Sequence, residues 1–133
     1  MKSFETKIRV EYHHTDQMGI VHHSNYVKFF EVARTEWLRA IGLTYAEMER
    51  RGVMMPIIEV QVKYRQPAYY DELITVRAFV DELPMARMTF RYEISGEDGR
   101  HIASGLTTLG FIDKTTRRPQ RAPIWLMEVL EKI

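Results

Sequence analysis

Residues 13–26 read His-His-Thr-Asp-Gln-Met-Gly-Ile-Val-His-His-Ser-Asn-Tyr. Four of the five histidines fall in this run, together with one carboxylate, Asp16, and one glycine, Gly19. The run follows an alternating segment and leads straight into a helical pattern. A helix N-terminus carries unpaired backbone N–H groups and a partial positive charge. A carboxylate brought there by a tight loop can act on a carbonyl that those groups polarise. It can attack the carbonyl carbon or activate a water, and the sequence leaves both routes open. Taken alone, Asp16 would more simply be a capping or solvated loop residue. Ser24 has no nucleophile-elbow motif around it. His13 and His14 adjoin on what reads as an extended segment, so their side chains are expected on opposite faces. His22 and His23 also adjoin. At most one of each pair then converges with Asp16, and no metal site is expected.

These residues need elements to position them. Ile8, Val10 and Tyr12 alternate with Lys7, Arg9 and Glu11, the period-two pattern of a strand with one buried face. Over 24–41 the period becomes helical: Tyr26, Phe29, Phe30, Ala33, Trp37, Leu38 and Ile41 form a broad apolar stripe. Ser24 or Asn25 suits the N-cap and Gly42 the C-terminal stop. Glu31 and Arg34 read as an ordinary i, i+3 pair. Thr44 and Glu47 open a short second helix that ends near Gly52. Ile58, Val60, Val62 and Tyr64 then alternate as a strand that Pro67 closes. Further strands follow around Ile74–Val80, Met88–Ile94 and 102–112, with an Asp98-Gly99 hairpin signal. Pro123 precedes a short C-terminal helix over 124–130. Hairpin-linked strands around one long aromatic helix make an α+β domain with an antiparallel sheet.

With 133 residues, the chain is expected to be a single domain over 1–133. Nineteen basic and 18 acidic residues give a net charge of +1, without the basic excess of a nucleic-acid binder. The absence of cysteine excludes disulfides, zinc–thiolate sites and a cysteine nucleophile. No signal-peptide pattern and no apolar run of membrane-spanning length is found, so the expected location is the cytoplasm.

The spaced set Asp16-x-x-Gly19-x-Val21-x-His23-x-x-Tyr26, followed by Glu31-x-Ala33-Arg34, resembles the hotdog-fold thioesterases. Among these it is similar to the 4-hydroxybenzoyl-CoA thioesterase family, in its YbgC-type acyl-CoA thioesterase branch. Val62-x-Tyr64-x-x-Pro67-Ala68-x-x-Asp71-Glu72 is similar to that family's second strand and turn. The resemblance covers nearly the whole chain. It implies a hotdog fold, an antiparallel sheet wrapped around one long central helix. It also implies a homodimer made by joining two sheets, often paired again into a homotetramer, with active sites between subunits. The substrate is then an acyl-CoA, hydrolysed to the free acid and coenzyme A without metal or redox cofactor. On this likeness Asp16 is the catalytic carboxylate, and the His23 backbone N–H receives the thioester carbonyl. The His23 imidazole is a second catalytic candidate, to orient water or substrate. Gly19, Val21 and Tyr26 are expected at the substrate. Two positions depart from the pattern: His14 stands where many members carry Asp, and His22 where many carry an aromatic residue.

Lys63 and Arg65 are candidates for the phosphates of coenzyme A, with Arg117, Arg118 and Arg121 behind them; solvated cations are the simpler reading of all five. Tyr26, Phe29, Phe30 and Trp37 are core residues first and pocket lining second. Two other activities fit the same fold, an acyl-thioester hydratase and a non-catalytic acyl-thioester-binding protein. The usual histidine-centred hydratase motif is not seen. Crotonyl-CoA separates the first from a hydrolase, by loss of enoyl absorbance without thiol release, and tight binding without thiol release marks the second.

Overall fold

A computed structural model of the chain describes residues 2–133. The first strand, β1 (Lys2–Arg9), turns Phe4, Thr6 and Ile8 inward and exposes Ser3, Glu5, Lys7 and Arg9. It starts and ends earlier than the Ile8-to-Tyr12 alternation predicts. Val10 closes the strand's pairing by bonding with the backbone of Glu72 and Asp71. Past that point no ladder partner remains, and Tyr12–His14 coil into one 3-10 turn with Tyr12 80% exposed.

The helix α1 (Asn25–Ala40) buries Tyr26, Phe29, Phe30, Ala33, Trp37 and Leu38 along one stripe. Gly42, at φ +80°, ends it, and the Leu43 N–H returns to the Leu38 carbonyl at 2.8 Å. The short α2 (Tyr45–Arg50) is capped by Thr44, whose hydroxyl accepts from the Glu47 N–H at 3.1 Å. The chain continues through β2 (Val53–Met54), β3 (Ile57–Tyr64), β4 (Leu73–Val80), β5 (Arg87–Ser95), β6 (His101–Gly110), β7 (Ile112–Asp113) and α3 (Ile124–Lys132). The long strand expected over 102–112 is thus interrupted: β6 stops at Gly110, and β7 pairs with β2 in a separate two-stranded sheet.

Five strands form one antiparallel sheet in the order β1-β4-β5-β6-β3, and α1 packs on β1, β4 and β3. This is the α+β arrangement expected. Aromatic rings hold helix to sheet: Phe30 stacks on Tyr92 at 4.3 Å, and Trp37 meets Phe90 edge-on at 6.0 Å. A Cβ at Gly105 would lie 2.4 Å from the Gln61 carbonyl oxygen and 2.6 Å from the Phe30 ring, so only glycine lets β6 pass there.

Two expectations need correction. Arg34 does pair with Glu31 at i, i+3, but it is no ordinary surface residue. It is buried, donating to the hydroxyls of Tyr45 at 2.7 Å and Tyr92 at 3.1 Å, while Glu31 stays exposed 3.9 Å away. Nor does β3 bury one face. Ile57, Ile58, Val60 and Tyr64 are all exposed and Val62 only half-buried, because β3 lies at the end of the sheet that α1, packed mainly on β1 and β4, covers least.

Candidate active site

The run from His14 to Tyr26 folds into a closed loop on the start of α1. Thr15 bridges Val21, and the Asp16 N–H donates to the Ile20 carbonyl at 2.9 Å. Between them the Gly19 N–H returns to the Asp16 carbonyl at 3.0 Å, with Gly19 at φ +78°. That left-handed conformation is cheap only for glycine. One carboxylate oxygen of Asp16 accepts from the Met18 N–H at 2.8 Å. The other has no hydrogen-bond partner among the described residues. Ile20 bridges Tyr69, and the Val21 N–H donates to the Ala68 carbonyl at 2.9 Å, which seats the loop on the segment after β3.

At the helix start, Ser24 occupies the cap position but makes no side-chain cap bond; its hydroxyl instead meets His22 Nδ1 at 2.9 Å. The His23 N–H has no acceptor among the described residues. The Tyr64 hydroxyl donates to the His23 carbonyl at 3.2 Å and stands 5.3 Å, ring to ring, from Tyr26. Burial foremost holds the proton on the Tyr26 hydroxyl, raising its pKa against the opposing Ala68 backbone bond.

A cavity of about 340 Å³ opens between loop and β3, with Asp16, Val21, His23 and Tyr26 on one side. Tyr64, Arg65, Gln66 and Pro67 complete it, with Met18 and Ile20 at the loop. The structure therefore brings Asp16, Val21, His23, Tyr26 and Arg65 together. Gly19 shapes the turn without lining the cavity, and Lys63 lies outside it, exposed on β3. The segment at Pro67, on which the loop is seated, is braced by Arg100. Its guanidinium donates to the Pro67 carbonyl at 3.0 Å and to the Glu72 carboxylate at 2.8 Å. Asp71, at φ +68°, belongs to this turn and does not line the cavity.

His13 and His14 do not point to opposite faces as expected. The 3-10 turn brings their rings to 4.2 Å. His13 bonds the Glu11 carboxylate at 2.5 Å, and His14 Nδ1 accepts from the Glu11 N–H at 2.9 Å. Ligand atoms of Glu11, His13 and His14 fall within 4.8 Å of one another, the one grouping among the described residues able to surround a cation, and Asp16 is not in it. The residue that sequence reasoning missed is Asn25. Read as a cap, it is instead buried, and its Nδ2 donates to the His14 carbonyl at 2.8 Å.

A family model described as a thioesterase-like superfamily matches residues 10–130. The acyl-CoA thioesterase YbgC of Haemophilus influenzae is 33% identical over 92 residues, covering 68% of this chain and 68% of its own. The acyl-CoA thioester hydrolase YbgC of Escherichia coli is 25% identical over 120 residues, 90% of each chain. A solved structure of a DHNA-CoA thioesterase from Staphylococcus aureus aligns with a TM-score of 0.90 and 34% identity, covering 99% of this chain and 91% of that one. The fold is therefore that of the hotdog thioesterases, as the motif resemblance implies.

Proposed function

The chain belongs to the thioesterase-like superfamily, and from that premise we propose that it is a thioester hydrolase that cleaves an acyl-CoA to the free acid and coenzyme A. One observation carries the assignment of the chemistry. Asp16, half-buried with one carboxylate oxygen free, and His23, whose helix-start N–H has no acceptor among the described residues, line the same cavity. The His23 N–H takes the thioester carbonyl oxygen and stabilises the negative charge that grows on it, an effect typically worth about 3 kcal/mol. Asp16 either removes a proton from an attacking water or adds to the carbonyl carbon itself. On the first route the water oxygen bonds to carbon, the C–S bond breaks, and the proton passes to the departing thiolate. On the second the Asp16 oxygen bonds to carbon, the C–S bond breaks to release the thiolate, and water then hydrolyses the resulting anhydride to the free acid and Asp16. Met18, Ile20, Val21 and Tyr26 give the acyl group an apolar wall, and Arg65 offers a cation at the rim.

The exposed edge of β3, with Ile58 and Val60 uncovered, supports association with a second copy, as homodimer or homotetramer. Antiparallel pairing of two β3 edges sets the Ile57 end of one strand beside the Tyr64 end of the other. A second cavity of about 560 Å³, carrying Ile58, Arg87 and Arg121, lies at that Ile57 end. In such a pair it would adjoin the Asp16 cavity of the other copy and add two cations for the phosphates of coenzyme A. The reaction needs no metal and no redox cofactor. Among the described residues no helix is long and apolar enough to cross a membrane, and the cysteine-free chain suits the cytoplasm. A panel of aliphatic and aromatic acyl-CoA substrates with thiol detection tests this reading. Release of thiol in step with free acid is expected, and binding without release, or loss of enoyl absorbance alone, would replace it.

A further inference from the structure

Asn25 begins α1, and its side chain serves the loop rather than the helix. Its Nδ2 donates to the His14 carbonyl at 2.8 Å, and the residue is only 7% exposed. The same carbonyl accepts from the His22 N–H at 2.8 Å, and the Asn25 N–H donates to the His22 carbonyl at 3.0 Å. One oxygen thus gathers both ends of the loop, two residues before Asp16 and one residue before His23. The bonds inside the loop, Asp16 to Ile20 and Thr15 to Val21, fix its own shape. The Asn25 side chain adds a tie from the loop's first residue to the axis of α1. If it is removed, the His14 carbonyl keeps the His22 N–H, so no buried acceptor is orphaned and folding should survive.

We infer that Asn25 is a positioning residue for the reaction, setting the separation between the Asp16 carboxylate and the His23 N–H through its bond to the His14 carbonyl. This rests on the thioesterase reading above. A misplacement of about 1 Å at a reacting centre can cost about 100-fold in rate, whereas the facing wall of Tyr64, Arg65 and Pro67 stays in place and substrate binding tolerates a small shift of the loop. The effect should therefore fall on kcat and spare KM.

The test compares the full chain with Asn25→Ala and Asn25→Asp on an acyl-CoA that the wild type hydrolyses, with thiol release and thermal melting followed together. The Asp variant keeps the size of the side chain but sets an oxygen against the His14 carbonyl. Both should lose roughly 10- to 100-fold in kcat with KM nearly unchanged. Leu130→Ala, in α3 and remote from the cavity, should lower Tm and leave kcat intact below its melting point. The inference is overturned if Asn25→Ala keeps its kcat, if KM rises while kcat holds, or if kcat falls only with the folded fraction. It is overturned equally if neither Asn25 variant folds, which would make the residue a fold element. A wild type that releases no thiol from any acyl-CoA would instead defeat the thioesterase reading itself.

Discussion

Asp16 spends one oxygen on its own turn, accepting from the Met18 N–H, and keeps the other for chemistry. Gly19 makes that turn possible, and this pairing was readable because both signals are local: a short loop glycine and a helix pattern starting a few residues on. Asn25 was not readable, since nothing in the spacing says that the His14 carbonyl folds back over the helix start. The histidine pair misled for a related reason. Alternation assumes a strand, and the chain leaves the sheet before His13. His14 gives this scale its prediction. Desolvation against its surroundings, with the Phe29 ring at 5.0 Å, lowers its pKa, and the neighbouring His13 adds to the shift. The unfolded chain then binds the proton more readily than the folded one. Stability from this group is complete above the ordinary histidine value of about 6.5 and is lost as pH falls from there. Tm measured between pH 7 and pH 5 should decline, and His14→Gln should flatten that decline. An equal slope in both proteins would refute the assignment.

The elements divide by how much pattern they carry. The helix α1 announces itself through six aromatic and aliphatic residues at helical spacing, and β4 and β5 through clean alternation. The two-residue β2 and β7 are too short to show any period, and they form only because tertiary packing brings them together. In β3 the alternation is present but its meaning depends on place in the sheet, which no single strand reveals. Arg34 is the same lesson in a helix: Glu31 three residues earlier suggests a surface pair, yet the guanidinium lies on the side facing Tyr92 and Thr107. Gly105 tests the packing of helix on sheet. Because one clash of an added Cβ is with the Gln61 backbone, side-chain repacking alone cannot relieve it. Gly105→Ala should cost about 1–3 kcal/mol, measured by denaturant unfolding. An unchanged midpoint would mean that β3 and β6 can separate freely there.

At the scale of the molecule, the unpaired β3 edge is what the domain leaves unfinished. Exposed strand edges with apolar side chains invite pairing, and the Asp16 cavity opens at the Tyr64 end of this same strand. Sedimentation at micromolar concentration should give a dimer or tetramer. Val60→Asp, which sets a charge in the middle of the edge, should shift the protein towards monomer and lower turnover with it. A wild-type monomer with full turnover would contradict a site shared between copies. Treatment with a chelator should leave turnover unchanged; loss of activity that zinc restores would transfer the chemistry to a metal at the histidine cluster.

The central claim is that the Asp16 carboxylate performs the hydrolysis, and one substitution isolates it. Asp16→Asn keeps the size of the side chain and an oxygen for the Met18 N–H, but it removes the charge. Turnover of acyl-CoA should fall at least about 100-fold, since general-base action alone contributes roughly 100- to 10,000-fold. The protein should remain folded and still bind acyl-CoA. Asp71→Asn is the matched control, for that carboxylate sits in a turn outside the cavity at φ +68°, a conformation asparagine tolerates. It should turn over substrate almost as the wild type does. The account predicts a large loss in the first variant and almost none in the second. Near-normal turnover by Asp16→Asn would contradict it and move the search to the His23 imidazole.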